Sequence, residues 1–436
     1  MEKITVMRKI NIGLIGYGVV GSGVVKFLRN RQNYIRDKYR VEFVVRTICD
    51  RSIHRKDTRG VGAAKLTKKI ADVLDDRSTE VVIELIGGLH PAKEIVTTAL
   101  RRGKHVVTAN KVLIAHYGKE LFQLAKKQNR QLYFESAVGA GVPIIKTITE
   151  GMVGNTYNRI YGIINGTCNF ILTEMTKNNL SFTKALKLAQ GKGFAESNPT
   201  LDINGMDSTH KLAILVYLAF GKFVKVRDIY TEGITHISHD DIAYAESLNL
   251  TIKLLAIAKR YENVVEARVH PTLIPKSHPL ASINGIYNAF YVNANPLGDV
   301  LLSGEGAGQM AAASGIVSDL LNLASRGADA NLLCNLYSEA PNFRIRKIDQ
   351  IKTRFYIRFM ATDKPGVLGK ITSVLGRYGI GLNSVTQPAH TAAWAVPVVM
   401  LTDYTLEKNL RLAIKKIWEL PIVKSKPVAI RMEKLW

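Results

Sequence analysis

The chain has 436 residues, of which 47% are hydrophobic and 22% are charged, and this composition is typical of a folded protein with two or three domains. Its 60 lysines and arginines exceed its 36 aspartates and glutamates, for a net charge of +24. They are spread along the chain and form no nucleic-acid-binding motif, so no nucleic-acid partner is predicted. No apolar run is long enough to cross a bilayer and the start lacks a signal peptide, which predicts a cytoplasmic protein.

The first third of the chain carries a glycine-rich loop between a strand and a helix. A short apolar strand at 9–15 runs into Gly16-Tyr17-Gly18-Val19-Val20-Gly21, and helical sequence continues to about residue 30. Gly16 permits a tight turn, Gly18 lets a pyrophosphate approach the backbone, and Gly21 allows the helix to pack closely on the strand. The strand, the glycine spacing and the helix together predict a dinucleotide-binding site.

The second strand leaves the choice between NAD and NADP open. It spans 41–49 and is followed by Asp50, a carboxylate placed to accept hydrogen bonds from the ribose of NAD. Arg51 comes next, with Arg55 and Lys56 close behind, and such cations can bind the 2′-phosphate of NADP. The sequence therefore predicts NADP or NAD as the cofactor.

Strands and helices alternate up to about residue 135. Further strands are predicted at 81–86, 105–108 and 131–134, and helices at 92–101 and 119–128. This alternation predicts an α/β fold built on a Rossmann-type doubly wound parallel sheet, whose ligand lies at the carboxyl ends of the strands. Gly87 and Lys111 each follow a predicted strand, so we expect both to lie near the cofactor.

A polar segment at 193–211 carries more reactive side chains than any other part of the sequence. Its carboxylates and its closing lysine are Glu196, Asp202, Asp207 and Lys211. Asp207 and Lys211 are four residues apart in a predicted helix, so both project from one face of it. Beside a cleft, they would offer a carboxylate and an amine suited to proton transfer. The alternative is a solvated ion pair.

This segment is preceded by a strand and a helix start. The strand is predicted at 159–165 and the helix from residue 170, with Gly166 and Thr167 in the turn between them. The first N–H groups of a helix have no intrahelical partner and can hold a carboxylate. We therefore expect this turn to receive a negatively charged group.

The C-terminal region has the predicted element order βαββαβ. Its strands are expected near 354–360, 382–387, 394–401 and 428–432, and its helices near 370–378 and 405–417. Asp363-Lys-Pro-Gly follows the first strand and resembles the start of an ACT domain, in which a glycine turn can admit an amino acid. The alternative is an assembly module that binds no ligand.

Several motifs, in one order across about residues 9–330, resemble homoserine dehydrogenase. They are Ile-Gly-Tyr-Gly-Val-Val-Gly-Ser-Gly, Glu84-Leu-Ile-Gly-Gly, Thr-Ala-Asn-Lys111, Glu135-Ser-Ala-Val-Gly-Ala-Gly-Val-Pro, Ile-Ile-Asn-Gly-Thr167, the 193–211 segment and Gly304-Glu-Gly-Ala-Gly308. The resemblance implies reversible NAD(P)(H)-dependent hydride transfer between L-aspartate 4-semialdehyde and L-homoserine, on the route to threonine, methionine and isoleucine. The alternatives are an aspartate-semialdehyde dehydrogenase, a hydroxyacid dehydrogenase, and a catalytically inactive amino acid sensor.

The resemblance also implies roles for the polar residues. Lys211 corresponds to the proton donor or acceptor at the C4 oxygen of the substrate. Asp207 corresponds to the carboxylate beside it, and Lys111 to a second lysine that also touches the cofactor. Substrate contacts are implied for Glu196, Asp202, Gly166 and Thr167.

Other correspondences concern the cofactor and a metal ion. Gly306, in the late glycine motif, is expected on the cofactor side. A monovalent-cation site, typically for sodium, is implied for the Glu135 carboxylate with the carbonyls of Val138, Ala140 and Val142, since hard cations prefer oxygen ligands. The sequence departs from the family pattern at Phe194, where tyrosine is usual, at 197–199, where an acidic residue is lost, and at 309–312, where Gly-x-Pro-Thr is usual.

The domain organisation predicted from these patterns has four parts. Residues 1–135 form the NAD(P)-binding domain with 303–326 packing back on it, 136–302 an α+β catalytic and dimerisation domain, 327–352 a linker, and 353–436 the ACT domain. No kinase-sized region precedes the cofactor domain, so a monofunctional enzyme is expected. The resemblance implies a homodimer or homotetramer, with threonine as the effector expected at the ACT domain.

Overall fold

The computed structural model describes residues 7–326, 342–387 and 395–434. Most of the predicted linker, at 327–341, and the first residue of the strand predicted at 394–401 lie outside these ranges. The chain divides into two compact units: the first comprises Met1–Asn158, His210–Val226 and Asn288–Asn342, and the second Arg159–Thr209, Arg227–Tyr287 and Phe343–Trp436. Among the described residues, no helix combines the length and the apolar character needed to span a membrane.

The described residues contain the following strands and α-helices. The strands are β1 (Arg8–Ile15), β2 (Val41–Cys49), β3 (Lys65–Thr67), β4 (Val81–Glu84), β5 (His105–Thr108), β6 (Leu132–Tyr133), β7 (Thr156–Ile163), β8 (Tyr230–Thr231), β9 (Leu250–Tyr261), β10 (Val264–Pro275), β11 (Tyr287–Asn295), β12 (Gly298–Glu305), β13 (Arg344–Ile345), β14 (Lys352–Ala361), β15 (Leu382–Thr386), β16 (Val396–Thr402), β17 (Thr405–Leu406) and β18 (Val428–Met432). The α-helices are α1 (Val19–Tyr39), α2 (Ala71–Leu74), α3 (Ala92–Arg101), α4 (Lys111–Lys127), α5 (Ile144–Lys146), α6 (Gly166–Lys177), α7 (Phe182–Gly191), α8 (Thr200–Ile203), α9 (Met206–Phe220), α10 (His239–Ser247), α11 (Gln309–Arg326), α12 (Val367–Arg377) and α13 (Glu407–Trp418).

The first unit contains a six-stranded sheet with the order β3-β2-β1-β4-β5-β6. Each neighbouring pair is parallel. The strand order reverses between β1 and β4, and ligands of such sheets bind in the crevice outside the carboxyl ends at that reversal. This topology confirms the predicted Rossmann-type sheet. The short strand β3 was not predicted, because three residues carry no periodic signal.

Helices α1 and α11 share one hydrophobic core with this sheet. The core includes Ile10 and Ile12 of β1, Val24 of α1, and Ile316 and Leu320 of α11. Helix α11 thus packs on the nucleotide-binding sheet although it lies far away in the sequence. Helix α1 also extends well beyond its predicted end near residue 30, because buried side chains continue along its inner face.

The second unit is built on a mixed sheet. Its hydrogen-bonded strands follow the order β7-β9-β10-β18-β14-β16-β15. Strand β10 pairs antiparallel with β9 along its whole length, and it pairs parallel with β18 at Thr272 and Leu273. The polar segment at 193–211 contains α8 and the start of α9. It lies between β7 and β8 in the sequence. The mixed sheet agrees with the predicted α+β character.

The C-terminal part of the second unit has the element order β14-α12-β15-β16-α13-β18. Strand β14 lies between β16 and β18 and is antiparallel to both. Phe355, Ile357 and Phe359 of β14 face Ile371 and Leu410 of the two helices in one core. The predicted order βαββαβ is therefore present. The helix predicted from residue 405 begins at Glu407, because the two preceding residues form β17 and pair with β14.

Candidate active site

The glycine-rich loop has the geometry that a dinucleotide requires. Gly16 has a φ of +102°, and its N–H donates to the Cys49 carbonyl at 2.8 Å. A Cβ on Gly21 would lie 2.2 Å from the Gly16 carbonyl oxygen, whereas a Cβ on Gly18 would meet open space. Helix α1 begins at Val19, and no side chain caps it. Its first N–H groups are therefore available to a ligand. This loop can therefore hold a pyrophosphate at the helix N-terminus.

Asp50 is engaged by donors of its own chain. Its Oδ2 accepts from the Tyr17 N–H at 2.8 Å and from Lys56 Nζ at 2.5 Å, and its Oδ1 accepts from the Ser52 N–H and hydroxyl. Burial alone would raise its pKa, but these hydrogen bonds, that of Lys56 foremost, lower the pKa of Asp50 to about 2. The carboxylate is thus ionised and largely saturated with donors before a ribose arrives.

A cavity of about 580 Å³ adjoins this carboxylate and the glycine loop. Its lining includes four cationic residues, Lys26, Arg29, Lys56 and Arg59, and one acidic residue, Asp57. Arg51, which sequence reasoning had placed here, is exposed and does not line the cavity. Lys26, Arg29 and Arg59 were missed, because they are brought to the loop by helix α1 and by the turn after Asp57.

Glu84 organises the carboxyl ends of β4 and β5. It is fully buried, its Oε1 accepts from the N–H groups of Ile86 and Gly87, and its Oε2 accepts from the Thr108 hydroxyl at 2.7 Å. Gly87 thereby lies beside the strand ends, and its contact with the cofactor stays a prediction.

Lys111 is the first residue of α4. The helix was predicted to begin at 119, and this was wrong: Asn110 caps it at Lys111 by accepting from the Leu113 N–H at 3.0 Å. Asn110 Nδ2 also donates to the Gly88 carbonyl at 2.7 Å. The cap therefore fixes Lys111 at the same edge of the sheet as Gly87.

The late glycine motif leads into α11 on the same side. Gln309 Nε2 donates to the Ser22 hydroxyl of α1 at 3.0 Å, and Gln309 lines the cationic cavity. Gly306 lies directly against the buried side chain of Asn288, with no room for a Cβ. The departure from the family pattern at 309–312 thus keeps a polar contact with the glycine-loop helix.

Asn165 links the acidic residues of the second unit. Its Nδ2 donates to Asp202 Oδ1 at 2.8 Å and to Asp207 Oδ2 at 2.9 Å. Its Oδ1 accepts from the Cys168 N–H at 2.8 Å and so caps helix α6. Sequence reasoning missed Asn165, although an asparagine before a predicted helix start is a recognised cap signal.

Helix α6 begins at Gly166 and not at residue 170 as predicted, because the Asn165 cap starts it earlier. Gly166 and Thr167 therefore lie in its first turn, where backbone N–H groups have no intrahelical partner. The Thr167 hydroxyl donates to the Phe194 carbonyl at 2.6 Å, and the rings of Phe194 and Phe170 meet edge to face at 5.0 Å. These contacts hold the 193–196 stretch against α6. Glu196 itself is exposed.

Lys211 lies on α9, and it is buried, with 8% of its surface exposed. Asp207, one turn earlier, is buried as well. His210 packs against His116 of α4 with ring centroids 5.5 Å apart, and Tyr217 stacks on Phe122 of the same helix. Ring contacts thus join the two helices that carry Lys211 and Lys111. The alternative of a solvated Asp–Lys pair is wrong.

Glu135 is a buried carboxylate with 3% of its surface exposed. Its oxygens accept from the N–H groups of Ile145 and Lys146 at 3.0 Å each. Burial and the neighbouring Asp319 carboxylate raise the pKa of Glu135 to about 8, while Lys146 forms an ion pair with Asp319 at 3.3 Å. Two buried carboxyl groups thus lie near one lysine, whose ion pair is with Asp319. Val138, Ala140 and Val142 are buried on the segment that follows.

No cluster of three or more histidine, cysteine, aspartate or glutamate side chains arranged to bind a metal occurs in the part of the chain that the structure describes. A site of one carboxylate and several backbone carbonyls is a different arrangement, and it rests on the position of Glu135.

Two family profiles match the chain. The profile described as homoserine dehydrogenase, NAD binding domain, matches residues 16–135, and the profile described as homoserine dehydrogenase matches residues 143–321. Homoserine dehydrogenase from Neisseria gonorrhoeae is 39% identical over 434 residues, which cover 98% of this chain and 100% of that protein.

Solved structures agree with these sequence matches. The crystal structure of a homoserine dehydrogenase from Thiobacillus denitrificans has a TM-score of 0.92 at 40% identity and covers 99% of this chain and 100% of its own. A hyperthermophilic archaeal homoserine dehydrogenase in complex with NADPH has a TM-score of 0.60 at 27% identity and covers 72% of this chain and 97% of its own. The glycine loop, the Rossmann-type sheet and the full-length similarity agree, and the chain belongs to the homoserine dehydrogenase family of NAD(P)-dependent oxidoreductases.

Proposed function

We propose that this chain interconverts L-aspartate 4-semialdehyde and L-homoserine with Lys211 as the group that gives a proton to the C4 oxygen and removes it in reverse. The observation that carries this assignment is the burial of Lys211 on the same helical face as Asp207. Asp207 is in turn held by Asn165 at 2.9 Å. A buried amine beside an oriented carboxylate has the position and the chemistry of a proton-transfer pair.

The chemistry follows from the charge that develops on the substrate. When bound, NAD(P)H supplies the hydride to the aldehyde carbon. The Lys211 ammonium stabilises the negative charge that forms on the C4 oxygen and donates the proton to it, which completes the alcohol. Lys111, at the capped start of α4, adds a second positive charge. Asp207 orients the Lys211 ammonium.

The amino acid end of the substrate carries two charges that need complementary groups. Asp202 and Glu196 offer carboxylates to its ammonium. The first turn of α6, at Gly166 and Thr167, offers N–H groups to its carboxylate. Asn165 connects both functions, because the same side chain caps α6 and donates to Asp202.

Between the two cofactors we propose NADP. Asp50 is already saturated by Lys56, Ser52 and the Tyr17 N–H, which leaves little acceptor capacity for the ribose hydroxyls of NAD. The adjoining cavity has two lysines and two arginines among its lining residues, and such cations suit a 2′-phosphate. The archaeal relative that binds NADPH is consistent with this choice.

We also propose a monovalent cation, typically sodium, at Glu135 with the carbonyls of Val138, Ala140 and Val142. Burial and the nearby Asp319 carboxylate disfavour the ionised form of Glu135, and a bound cation would offset both effects. The cation would neutralise the buried carboxylate and fix the segment that follows β6. Its role would be structural.

For the C-terminal region we propose an ACT domain, at about 353–436, that takes part in homodimer or homotetramer assembly and receives threonine. The element order βαββαβ supports the assignment. The archaeal relative aligns along 97% of its length with 72% of this chain, so this chain carries a substantial additional part. The other boundaries remain as predicted, at 1–135 with 303–326, 136–302 and 327–352, and a cytoplasmic location remains a prediction.

The assignment of Lys211 is tested by homoserine-dependent reduction of NADP⁺. We expect Lys211→Ala to lower kcat by about 10³-fold or more, while NADPH binding measured by fluorescence titration stays within about twofold of wild type. Lys184→Ala, which removes an exposed lysine of α7, is the matched control and should retain full activity. Wild-type turnover in Lys211→Ala would refute the assignment, and absence of turnover in the wild-type protein with bound cofactor would favour the amino acid sensor.

A further inference from the structure

A buried ion cluster connects the C-terminal strand β18 with strand β8. We call it the Arg431 cluster, and its members are Arg431, Glu407, Glu232 and Tyr230. Arg431 donates to both oxygens of Glu407, at 2.9 and 2.5 Å, to Glu232 Oε2 at 2.7 Å, and to the Tyr230 hydroxyl at 3.0 Å. The Tyr230 hydroxyl donates to Glu232 Oε2 at 2.7 Å.

The Arg431 cluster is buried, so its hydrogen bonds depend closely on the positions of its members. Arg431 has 5% of its surface exposed, and Glu407 is buried as well. Burial alone would raise the pKa of Glu232, but the hydrogen bond from His236 and the charge of Arg431 hold that pKa well below its usual range. The pairs therefore stay ionised. A buried guanidinium with two carboxylates keeps its geometry only while every partner is present.

Strand β8 carries this constraint to the substrate segment. Thr231 follows Tyr230, and its hydroxyl lies 2.7 Å from the hydroxyl of Thr209 on α9. Thr209 is fully buried and is two residues from Asp207.

The residues after β8 make a second connection. The Ile234 N–H donates to the Ile203 carbonyl of α8 at 2.9 Å. Gly233 lies so close to α8 that a Cβ would be 2.0 Å from the same carbonyl oxygen. Ile203 is adjacent to Asp202, so the segment from Tyr230 to Ile234 supports both acidic residues of the substrate site.

We propose that Arg431 is a positioning residue for the substrate, which acts through Glu232 and Tyr230 on the Thr231–Ile234 segment and so sets the positions of Asp202 and Asp207. The proposal rests on the substrate roles assigned to these two aspartates. It means that the last strand of the chain belongs to the substrate site although it carries no group that touches the substrate. Disturbing this strand should lower kcat/KM for the amino acid substrate and leave dinucleotide binding unaffected.

A second, largely buried arginine in the same region provides a matched control. Arg358 of β14 pairs with Asp241 at 2.7 and 3.1 Å and with the Ser238 hydroxyl. Asp241 lies in the first turn of α10, and its hydrogen bonds lead to Ser238 and Tyr356 and not to α8 or α9. Replacing Arg358 should therefore perturb the C-terminal region to a similar extent without passing through the Thr231–Ile234 segment.

The test uses steady-state kinetics of the full-length protein with homoserine varied at saturating NADP⁺. The variants are Arg431→Lys, Glu232→Gln, Thr231→Val and Arg358→Met. Glu232→Gln keeps the Arg431–Glu407 pair and is the variant that should fold if those at Arg431 do not. Circular dichroism melting confirms that each variant is folded.

We expect Glu232→Gln, Arg431→Lys and Thr231→Val each to lower kcat/KM for homoserine by about tenfold, with KM for NADP⁺ within about twofold of wild type. Arg358→Met should leave kcat/KM for homoserine unchanged even if it lowers the melting temperature. The double variant Arg431→Lys/Thr231→Val should show less than the product of its single effects, because both changes act on one connection.

Three results would overturn the proposal: unchanged kcat/KM for homoserine in folded Glu232→Gln, an equal fall of kcat/KM in Arg358→Met, or multiplicative effects in the double variant. The assignment of the substrate site is tested separately by Asp202→Asn and Asp207→Asn. If these leave KM and kcat unchanged, the proposed site is at fault. If they impair the enzyme while the Arg431 cluster variants do not, only the positioning role fails.

Discussion

Replacing Asn165 separates its two structural roles, and this change gives the sharpest test of the substrate site. The side chain caps α6 through the Cys168 N–H and donates to Asp202 and Asp207. Asn165→Ala removes all three hydrogen bonds. Asn165→Ser keeps a capping oxygen, but its short side chain cannot donate to both carboxylates.

The hydrogen bonds set the expected magnitudes. Losing an N-cap costs about 1 kcal/mol, and losing a hydrogen bond to a charged group costs about 1.5–3 kcal/mol. Asp202 is only half-buried and regains water, so only the bond to buried Asp207 counts in full. Asn165→Ala should therefore lower the free energy of unfolding by about 3 kcal/mol. Asn165→Ser should recover about 1 kcal/mol of this loss.

Catalysis should follow a different pattern from stability. If Asp207 loses the donor that orients it, about 2 kcal/mol of transition-state stabilisation is lost, which is about a 30-fold fall in kcat/KM. The fall should be similar in both variants, because the cap does not restore the donor. Urea unfolding and homoserine-dependent NADP⁺ reduction measure the two effects on the same preparations. Retention of kcat/KM within about threefold of wild type in either variant would refute the role given to Asn165.

Three further predictions concern charged groups. Lys56→Ala should raise KM for NADP⁺ by about tenfold and change KM for NAD⁺ little, and equal changes for both cofactors would contradict a 2′-phosphate site. Burial, with the charge of Lys177, lowers the pKa of Lys253 from 10.5 to about 8. Between these two pH values the unfolded chain binds more protons than the folded protein, so the stability of wild type relative to Lys253→Met should rise by about 3 kcal/mol as the pH increases through this window. Urea unfolding at pH 7.5 and 9.5 measures the trend, and a difference in stability that does not change with pH would count against it. Because the pKa of Glu135 is raised to about 8, the stability of the folded protein falls as the pH rises toward that value. Replacing choline by sodium should therefore raise the melting temperature more at pH 8 than at pH 6. The Glu135→Gln variant should not show this difference between the two pH values.

Local patterns predicted the cofactor half of the molecule well. The glycine spacing and the flanking strand and helix are neighbours in sequence, and they fold into the predicted loop with Gly16 at a φ of +102°. Strand β2 and helix α3 coincide with their predicted bounds, because each carries a clear period and ends at a turn signal. Lengths were less accurate where no breaker ends the pattern, as in α1.

Long-range side-chain contacts were beyond the reach of sequence reasoning. Asp50 and Lys56 are close in the sequence, yet only the fold shows that their contact helps to saturate a carboxylate expected to bind ribose. Asn165 meets Asp202 and Asp207 across about forty positions of chain, and periodicity contains no information about such a partner. Arg431 reaches Glu232 over a still longer separation.

This contrast has a physical origin that bears on how the enzyme tolerates change. A pyrophosphate is held by backbone N–H groups and a helix N-terminus, which require only glycine spacing and a strand–helix turn. A small amino acid with two opposite charges needs side chains at fixed positions, and these are held by hydrogen bonds between distant segments. In this chain Asn165 and Thr209 both support Asp207 or its helix, and both lie far from the glycine-rich loop in the sequence. Substitutions that preserve the glycine spacing should therefore leave dinucleotide binding intact, whereas loss of a single supporting hydrogen bond around Asp207 should lower kcat/KM for homoserine.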